Sequence, residues 1–256
     1  MKLSIVIPSC NNAKWLGKCL DSITSQTYQD FEIIVVDDLS TDDSVKVAKK
    51  HLRKQDTLII NESKRLNGGT RNVGILKAKG DYILCIDCDD WLVDNKVLEA
   101  IVNKLDVLGD IDILFTDYIA HREDYDLMMH NKNNSIEAAL RNITCAIWTK
   151  VVKRELLQEC LFPEGTLFED RINHYRLLLK AKSISNLDKP VVVWNRTNTN
   201  TISGNNTYLW NTYRFNYCGE LYRLYNELEK GAFKDYIKEE LEGYMKQIRQ
   251  MVDDLW

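Results

Sequence analysis

Short apolar runs alternate with stretches of helical spacing through the first 120 residues, and this alternation restricts the fold more than any other feature. The runs at 3–8 (LSIVIP), 31–36 (FEIIVV), 57–60 (TLII), 82–86 (YILCI) and 111–115 (IDILF) are apolar at consecutive positions. Strands buried on both faces have that character. Between them apolar residues recur at intervals of three and four, as in Trp15, Leu16, Cys19, Leu20 and Ile23. Asp42 and Asp43 precede a second such stretch (Val45, Val47, Ala48 and Leu52). Acidic residues there complement the positive end of a helix dipole. The repetition predicts an α/β fold: a mostly parallel sheet flanked by helices, with right-handed crossovers.

After residue 120 the rhythm breaks. A polar stretch (121–135), a short helix, a strand near 144–151 and the segment LFPEGTLFEDRINHYRLLL lead to a second all-apolar strand, VVVW (191–194). The turn-rich loop NRTNTNTISGNN follows. From Thr207 the spacing is helical, split at Gly231 into 207–229 and 232–255. In the second stretch Ile237, Leu241, Tyr244, Ile248, Met251 and Leu255 form an apolar seam; Trp210, Tyr213, Tyr217, Leu221, Leu224 and Leu228 form a stripe in the first. The pair predicts a helical hairpin packed on itself and on the domain before it. A dimer interface or a platform for a binding partner is the alternative use.

The charge balance, 34 Lys and Arg against 38 Asp and Glu among 256 residues, leaves a formal net charge of −4. Nothing in it supports a nucleic-acid-binding domain, whose footprint is a basic patch. The densest basic run, KKHLRK (49–54), reads as the solvated face of a helix. No stretch approaches the roughly 18 apolar residues of a transmembrane helix. Seven cysteines, an odd and scattered set at 10, 19, 85, 88, 145, 160 and 218, read as reduced thiols of a cytosolic protein. Cys85 and Cys88 form a C-x-x-C with no second pair, so core-facing thiols are expected.

In open α/β sheets, ligands bind beyond the carboxyl ends of the strands. The run at 31–36 ends in Asp37-Asp38, the run at 82–86 enters Asp87-Cys88-Asp89-Asp90, and Glu169-Asp170 opens a later helix. If strand alternation continues, Asp87 and Asp89 project to one side and Cys88 to the core. Two such carboxylates suit a hard cation, Mg²⁺ or Mn²⁺, held jointly with substrate phosphates. Helix capping is the competing reading for Asp89, Asp90 and the Glu169-Asp170 pair. His174, one turn after Asp170, is placed to orient it or is a partly exposed histidine. Trp194 and Arg196, before the polar loop, are placed to contact a bound ligand or simply end a core strand. GGTRNVG is not the G-x-G-x-x-G of a dinucleotide site, and no Walker loop or G-x-S-x-G element is present.

The run SIVIPSCNN, then EIIVVDDLSTDDS, then GGTRNVGILKAKGDYILCIDCDDW, then FED resembles glycosyltransferase family 2 over roughly residues 1–205. That resemblance implies the Rossmann-like GT-A fold and an inverting, metal-dependent transfer of a sugar from a nucleotide-diphosphate donor. The donor is expected to be a uridine one; the acceptor is a hydroxyl of a glycan, a lipid-linked molecule or a protein. It also implies residue roles. Pro8 borders the nucleotide pocket, Asp38 reads the base, and Arg71 and Asn72 lie near the nucleotide. Asp87 lies near the ribose, Asp89 binds Mn²⁺ or Mg²⁺, and Asp170 is the catalytic base. Cys88 and Arg196 complete the expected donor-binding set. The chain has Leu39-Ser40 where the family usually has Gly-Ser. The expected domains are a catalytic one over 1–206, with a nucleotide-sugar half (1–120) and an acceptor half (121–206), and a helical hairpin over 207–256. A cytoplasmic location is expected, and peripheral membrane contact or a homodimer through the C-terminal helices is compatible with it. The alternatives are a sugar nucleotidyltransferase and a binding-only relative that has lost catalysis.

Overall fold

The structure, a computed structural model, describes residues 2–142, 144–166, 169–198 and 207–253. Strands β1 (Leu3–Ser9), β2 (Phe31–Asp37), β3 (Thr57–Ile60) and β4 (Tyr82–Cys85) lie parallel in the order β3-β2-β1-β4. Helices α1 (Ala13–Thr24), α2 (Ser44–His51) and α3 (Leu66–Lys77) connect them, as the sequence predicts. β3 is at the sheet edge and only half-buried, so a run read as buried on both faces is buried on neither.

Beyond β4 the sheet is mixed. β5 (Trp91–Leu92), α4 (Val97–Leu108), β6 (Ile113–His121), β7 (Asp126–Met129) and α5 (Ile136–Arg141) come next in the chain. A 3-10 turn (Ile147–Thr149), β8 (Lys150–Lys153), α6 (Arg154–Glu159), α7 (Glu169–Lys180) and β9 (Ile184–Asn195) follow. The sheet continues β4-β8-β6-β9-β5, with β8 antiparallel to both of its neighbours and β6 parallel to β9. β7 is an exposed edge strand paired to β6, formed within the polar stretch 121–135. β9 starts well before VVVW and passes through Pro190, which faces Asp117 where the β6–β9 register shifts. A bulge is where a strand tolerates a residue without an N–H.

Alternation along β1 divides the core into two layers. Leu3, Ile5 and Ile7 pack with Leu16, Leu20 and Ile23 of α1 and Leu98 and Ile101 of α4. Val6 on the opposite face joins Ile75 of α3, Leu157 of α6, and Ile172 and Leu178 of α7. Gly74 lets α3 lie close on this side, since a Cβ there would stand 2.5 Å from a methyl of Val6. The final helices, α8 (Thr207–Glu227) and α9 (Ala232–Asp253), pack on one another and cover α7. Leu221, Leu224 and Ile237 are buried in the same layer, and the Tyr217 ring lies edge-on to Tyr244 at 4.9 Å. The inward seam therefore agrees with the hairpin reading. Trp210, Tyr213, Met251 and Leu255 lie outside the described side chains.

Candidate active site

β4 ends at Cys85, and the aspartates follow in a turn closed by Asp90 N–H donating to the Asp87 carbonyl at 3.0 Å. The turn, not continued strand alternation, leaves Asp87 and Asp89 half-exposed and buries Cys88. The Cys88 thiol sits in the α1-side core and accepts from the Asn12 amide at 3.0 Å; burial pushes its pKa far up. It faces away from the donor contacts expected of it. Asp90 is no helix cap either. Its carboxylate accepts the Asn195 N–H at 2.8 Å, tying the end of β9 to this turn. Burial, with Asp87 and Asp89 beside it, holds that carboxyl well above the usual range.

So much negative charge raises the question of a counter-cation, and α3 supplies one. Arg71 is buried, with Nη2 2.6 Å from Asp87 and Nη1 2.8 Å from Glu169 and 3.5 Å from Asp170. One guanidinium thus ties the turn after β4 to the start of α7. Next to it, Asn72 donates to the Phe162 carbonyl and accepts the Phe162 N–H, both at 2.9 Å. Through these two bonds Asn72 braces the 162 loop.

Asp38 is buried beyond β2 and anchors the start of α3. It accepts from Arg65 N–H at 2.9 Å, Leu66 N–H at 3.2 Å and the Asn61 amide at 2.8 Å. Pro8 pairs with Val36 near the end of β1. The last bond of β1 to the β4 side is Ile86 N–H to the Val6 carbonyl, so the N–H that Pro8 lacks falls where β4 has turned away. Leu39, in the departure from Gly-Ser, adopts a left-handed φ of 57°, the conformation a glycine would take.

Asp170 is in the first turn of α7, with Oδ1 3.5 Å from Arg71 Nη1. Burial raises its pKa, Arg71 and Lys150 oppose the rise, and Asp87 adds to it. Glu169 is pushed up to about 7, by burial and then by Asp170. His174 does not orient Asp170. It is buried against α5 with Nε2 3.0 Å from the Ala139 carbonyl, and burial holds it neutral. Arg196 is exposed and stacks on Trp194 at 4.3 Å. Trp194 lies in turn 5.9 Å from Trp148. Asn198 donates to Asp89 at 2.7 Å. Sequence reasoning missed Asn198, Asn195 and the pairing of Glu169 with Arg71; no spacing rule links residues so far apart.

Among the described residues, no three His, Cys, Asp or Glu side chains form a metal cage. Asp89 nonetheless fits a hard divalent cation. It is an oxygen donor whose pKa is raised by burial and by Asp87, which marks negative charge short of a counter-ion. Magnesium-type sites are commonly completed by substrate phosphates rather than by further protein ligands.

A half-parallel, half-mixed sheet with helices on both faces and a carboxylate cluster beyond β2 and β4 defines the GT-A class of nucleotide-sugar-binding folds. The chain belongs to glycosyl transferase family 2, whose family model matches residues 4–167. Glycosyltransferase GlyG of Streptococcus pneumoniae is 27% identical over 214 residues, covering 76% of this chain and 70% of that protein. Poly(ribitol-phosphate) beta-glucosyltransferase of Bacillus spizizenii is 33% identical over 194 residues. That match takes in 72% of this chain but only 31% of the Bacillus protein. Residues 1–349 of Staphylococcus aureus TarS, in complex with UDP-GlcNAc, share the fold with a TM-score of 0.75 at 23% identity. The superposition covers 95% of this chain and 72% of that one. The mannosyltransferase PcManGT of Pyrobaculum calidifontis, in complex with GDP-Man and Mn²⁺, gives a TM-score of 0.63 at 17% identity, covering 94% and 69%. These relatives are named as glycosyltransferases.

Proposed function

We propose that the chain is an inverting, metal-dependent glycosyltransferase that moves a sugar from a uridine diphosphate donor to a hydroxyl of a glycan, lipid-linked or protein acceptor. The observation that carries this reading is Arg71, one buried cation holding Asp87 of the donor-side turn and Asp170 of α7 in a single cleft. Asp89 would hold Mn²⁺ or Mg²⁺, which would supply Lewis-acid neutralisation of the departing diphosphate. Pro8 and Asp38 border the base pocket. Asp38 Oδ2 accepts one bond from Leu66 N–H, and a carboxylate oxygen can take a second from the base. The exposed Arg196 guanidinium is available to the diphosphate.

Asp170 takes the proton of the acceptor hydroxyl as that oxygen attacks the anomeric carbon. The bond from that carbon to the diphosphate oxygen breaks, and the diphosphate leaves with the electron pair. A carboxylate whose pKa is raised is the better base. Residues 1–206 form the catalytic unit and 207–256 its supporting hairpin. Cytoplasmic residence is supported by seven free thiols. Among the described residues no helix is long and apolar enough to cross a membrane.

Asp89→Asn and Asp170→Asn separate the two carboxylate roles. Asp89→Asn should weaken Mn²⁺-dependent uridine diphosphate binding and turnover together. Asp170→Asn should keep that affinity while turnover falls roughly 10²–10⁴-fold, the usual worth of a general base. Titration calorimetry and nucleotide release on the same preparations decide. Normal turnover in Asp170→Asn, or an equal loss of nucleotide affinity in both variants, overturns the assignment.

A further inference from the structure

We infer that Asn198 is a positioning residue for Asp89: its neutral amide holds Oδ2 of the carboxylate and leaves Oδ1 for the divalent cation. The inference rests on the reading of Asp89 as the ligand of that cation.

Asn195, Thr197 and Asn198, at and just beyond the end of β9, form a clip over the turn that follows β4. Asn195 N–H donates to Asp90 Oδ1 at 2.8 Å, and Asn198 Nδ2 donates to Asp89 Oδ2 at 2.7 Å. One short segment, 105 and 109 residues away in sequence, thus holds two successive aspartates. Thr197 stiffens the clip: its N–H (3.1 Å) and its hydroxyl (2.7 Å) both donate to Asn195 Oδ1. Asp90 and Asn195 are each 2% exposed, so the inner end of the clip is fixed in the core. Asp89 and Asn198, at its outer end, are half-buried. Asn195 Nδ2 is buried with no partner among the described residues. A buried amide left unpaired costs stability, so the clip is not arranged for stability alone.

The chemistry of the donors separates Asp89 from its neighbour. Asp87 receives a guanidinium, Arg71 Nη2 at 2.6 Å, which offsets its charge. Asp89 receives an amide. An amide orients a carboxylate and favours its ionised form without adding positive charge. The negative charge of Asp89 is therefore left for a cation to meet, where a lysine or arginine in place of Asn198 would already have met it. Both oxygens of a carboxylate can accept, and among the described residues Oδ1 takes no side-chain donor. Magnesium-type cations need few such protein oxygens when substrate phosphates supply the rest. Removing a partner that orients a ligating side chain commonly weakens metal binding about 10–100-fold.

The test compares the wild-type chain, Asn198→Ala and Asp89→Asn by Mn²⁺ electron paramagnetic resonance, which counts free ion, at a fixed concentration of uridine diphosphate. Asn198→Ala should bind Mn²⁺ about 10–100-fold more weakly than wild type. Its affinity for uridine diphosphate with a chelator, and its melting temperature without metal, should match wild type. That split separates positioning from a merely structural part, which would lower all three together. Unchanged Mn²⁺ affinity overturns the inference, and so does tighter binding, because the amide would then compete with the ion. An equal loss of nucleotide affinity with a chelator overturns it as well. Should Asn198→Ala not fold, Asn198→Ser, whose hydroxyl is too short to reach Oδ2, takes its place under the same criteria. If Asp89→Asn loses Mn²⁺ while Asn198→Ala does not, only the Asn198 assignment fails. If Asp89→Asn binds Mn²⁺ as wild type does, Asp89 is not the ligand and the metal reading itself fails.

Discussion

Arg71 and Glu169 form an ion pair sealed from solvent, Nη1 to Oε1 at 2.8 Å with side chains 2% and 7% exposed. The other terminal nitrogen of the arginine is on Asp87. A guanidinium reaches two carboxylates at once because its donors form a rigid fork; a lysine has a single point of charge. The segments joined are 98 residues apart in sequence, so the pair fastens the start of α7 to α3 across the fold.

Arg71→Met should therefore cost about 3–5 kcal/mol, the usual penalty for stripping a buried charge of its partner. The loss should depend on pH in one direction. Glu169 has a native pKa of about 7, above the ordinary 4.5, so the folded state holds its proton more tightly than the unfolded state does. Stability from this source is full below the ordinary value and is lost as pH rises through 7. Without the opposing arginine the native pKa climbs further, and the deficit of Arg71→Met should be small near pH 5 and large near pH 8.5. Urea midpoints at the two pH values measure it. Equal deficits at both would show that Glu169 is not the group left stranded.

Uridine diphosphate should raise the melting temperature when Mn²⁺ or Mg²⁺ is present and much less with a chelator. Asp89 is short of positive charge, and the diphosphate can share a cation with it. At about 100 times the dissociation constant the gain is about 2.7 kcal/mol. Thermal melts with nucleotide alone, metal alone and both together separate the contributions. Equal stabilisation with and without chelator would remove the metal bridge from the proposal.

Much of this site was legible in the sequence because parallel strands buried on both faces leave a strong signal. The runs ending at Val36 and Ile86 announced where Asp38 and Asp87 would emerge. The local geometry was less legible. Asp87 and Asp89 lie side by side because a turn begins at once after β4, which a period-two pattern does not report. β8 runs antiparallel between β4 and β6, and the order of strands in a sheet is set by packing rather than by any one run. Lys150 stands in an apolar context, IWTKVV, and nothing in those residues shows that its charge meets three oxygens. His174 has helical spacing to Asp170, yet packing against α5 turned it into the core.

Leu39 offers a local test of the departure from Gly-Ser. Its φ of 57° costs a side-chain-bearing residue about 1–2 kcal/mol, and glycine escapes that cost. Glycine gives back roughly 0.5–1 kcal/mol through the greater freedom of the unfolded chain. Leu39→Gly should therefore lie between neutral and about 1.5 kcal/mol more stable, whereas Leu39→Val, β-branched, should be less stable than wild type. Parallel urea melts give the order. A Leu39→Gly protein less stable than Leu39→Val would mean that the leucine side chain contributes more by packing than its backbone costs.

The hairpin meets the catalytic unit at Glu240. That carboxylate accepts from the hydroxyls of Tyr175 and Tyr217 and pairs with Arg171 at 3.5 Å. Burial and Glu240 together push both phenol pKa values far up, so both rings remain donors at every working pH. Arg171 directly follows Asp170 on α7, and a carboxylate carried by α9 thereby fixes the first turn of the helix that bears the base. Glu240→Ala leaves a largely buried guanidinium and two hydroxyls without their acceptor, and should cost about 2–4 kcal/mol. Turnover should fall about tenfold through loss of alignment, since small displacements of a reacting group are expensive. Uridine diphosphate affinity should stay near wild type, because the donor turn after β4 is held by Arg71 and Asn195 rather than by the hairpin. Urea melts, nucleotide release and titration calorimetry on one preparation read all three quantities. A folded Glu240→Ala protein that had lost nucleotide affinity would place the hairpin in the donor site; one with wild-type stability would make the Glu240 contacts incidental.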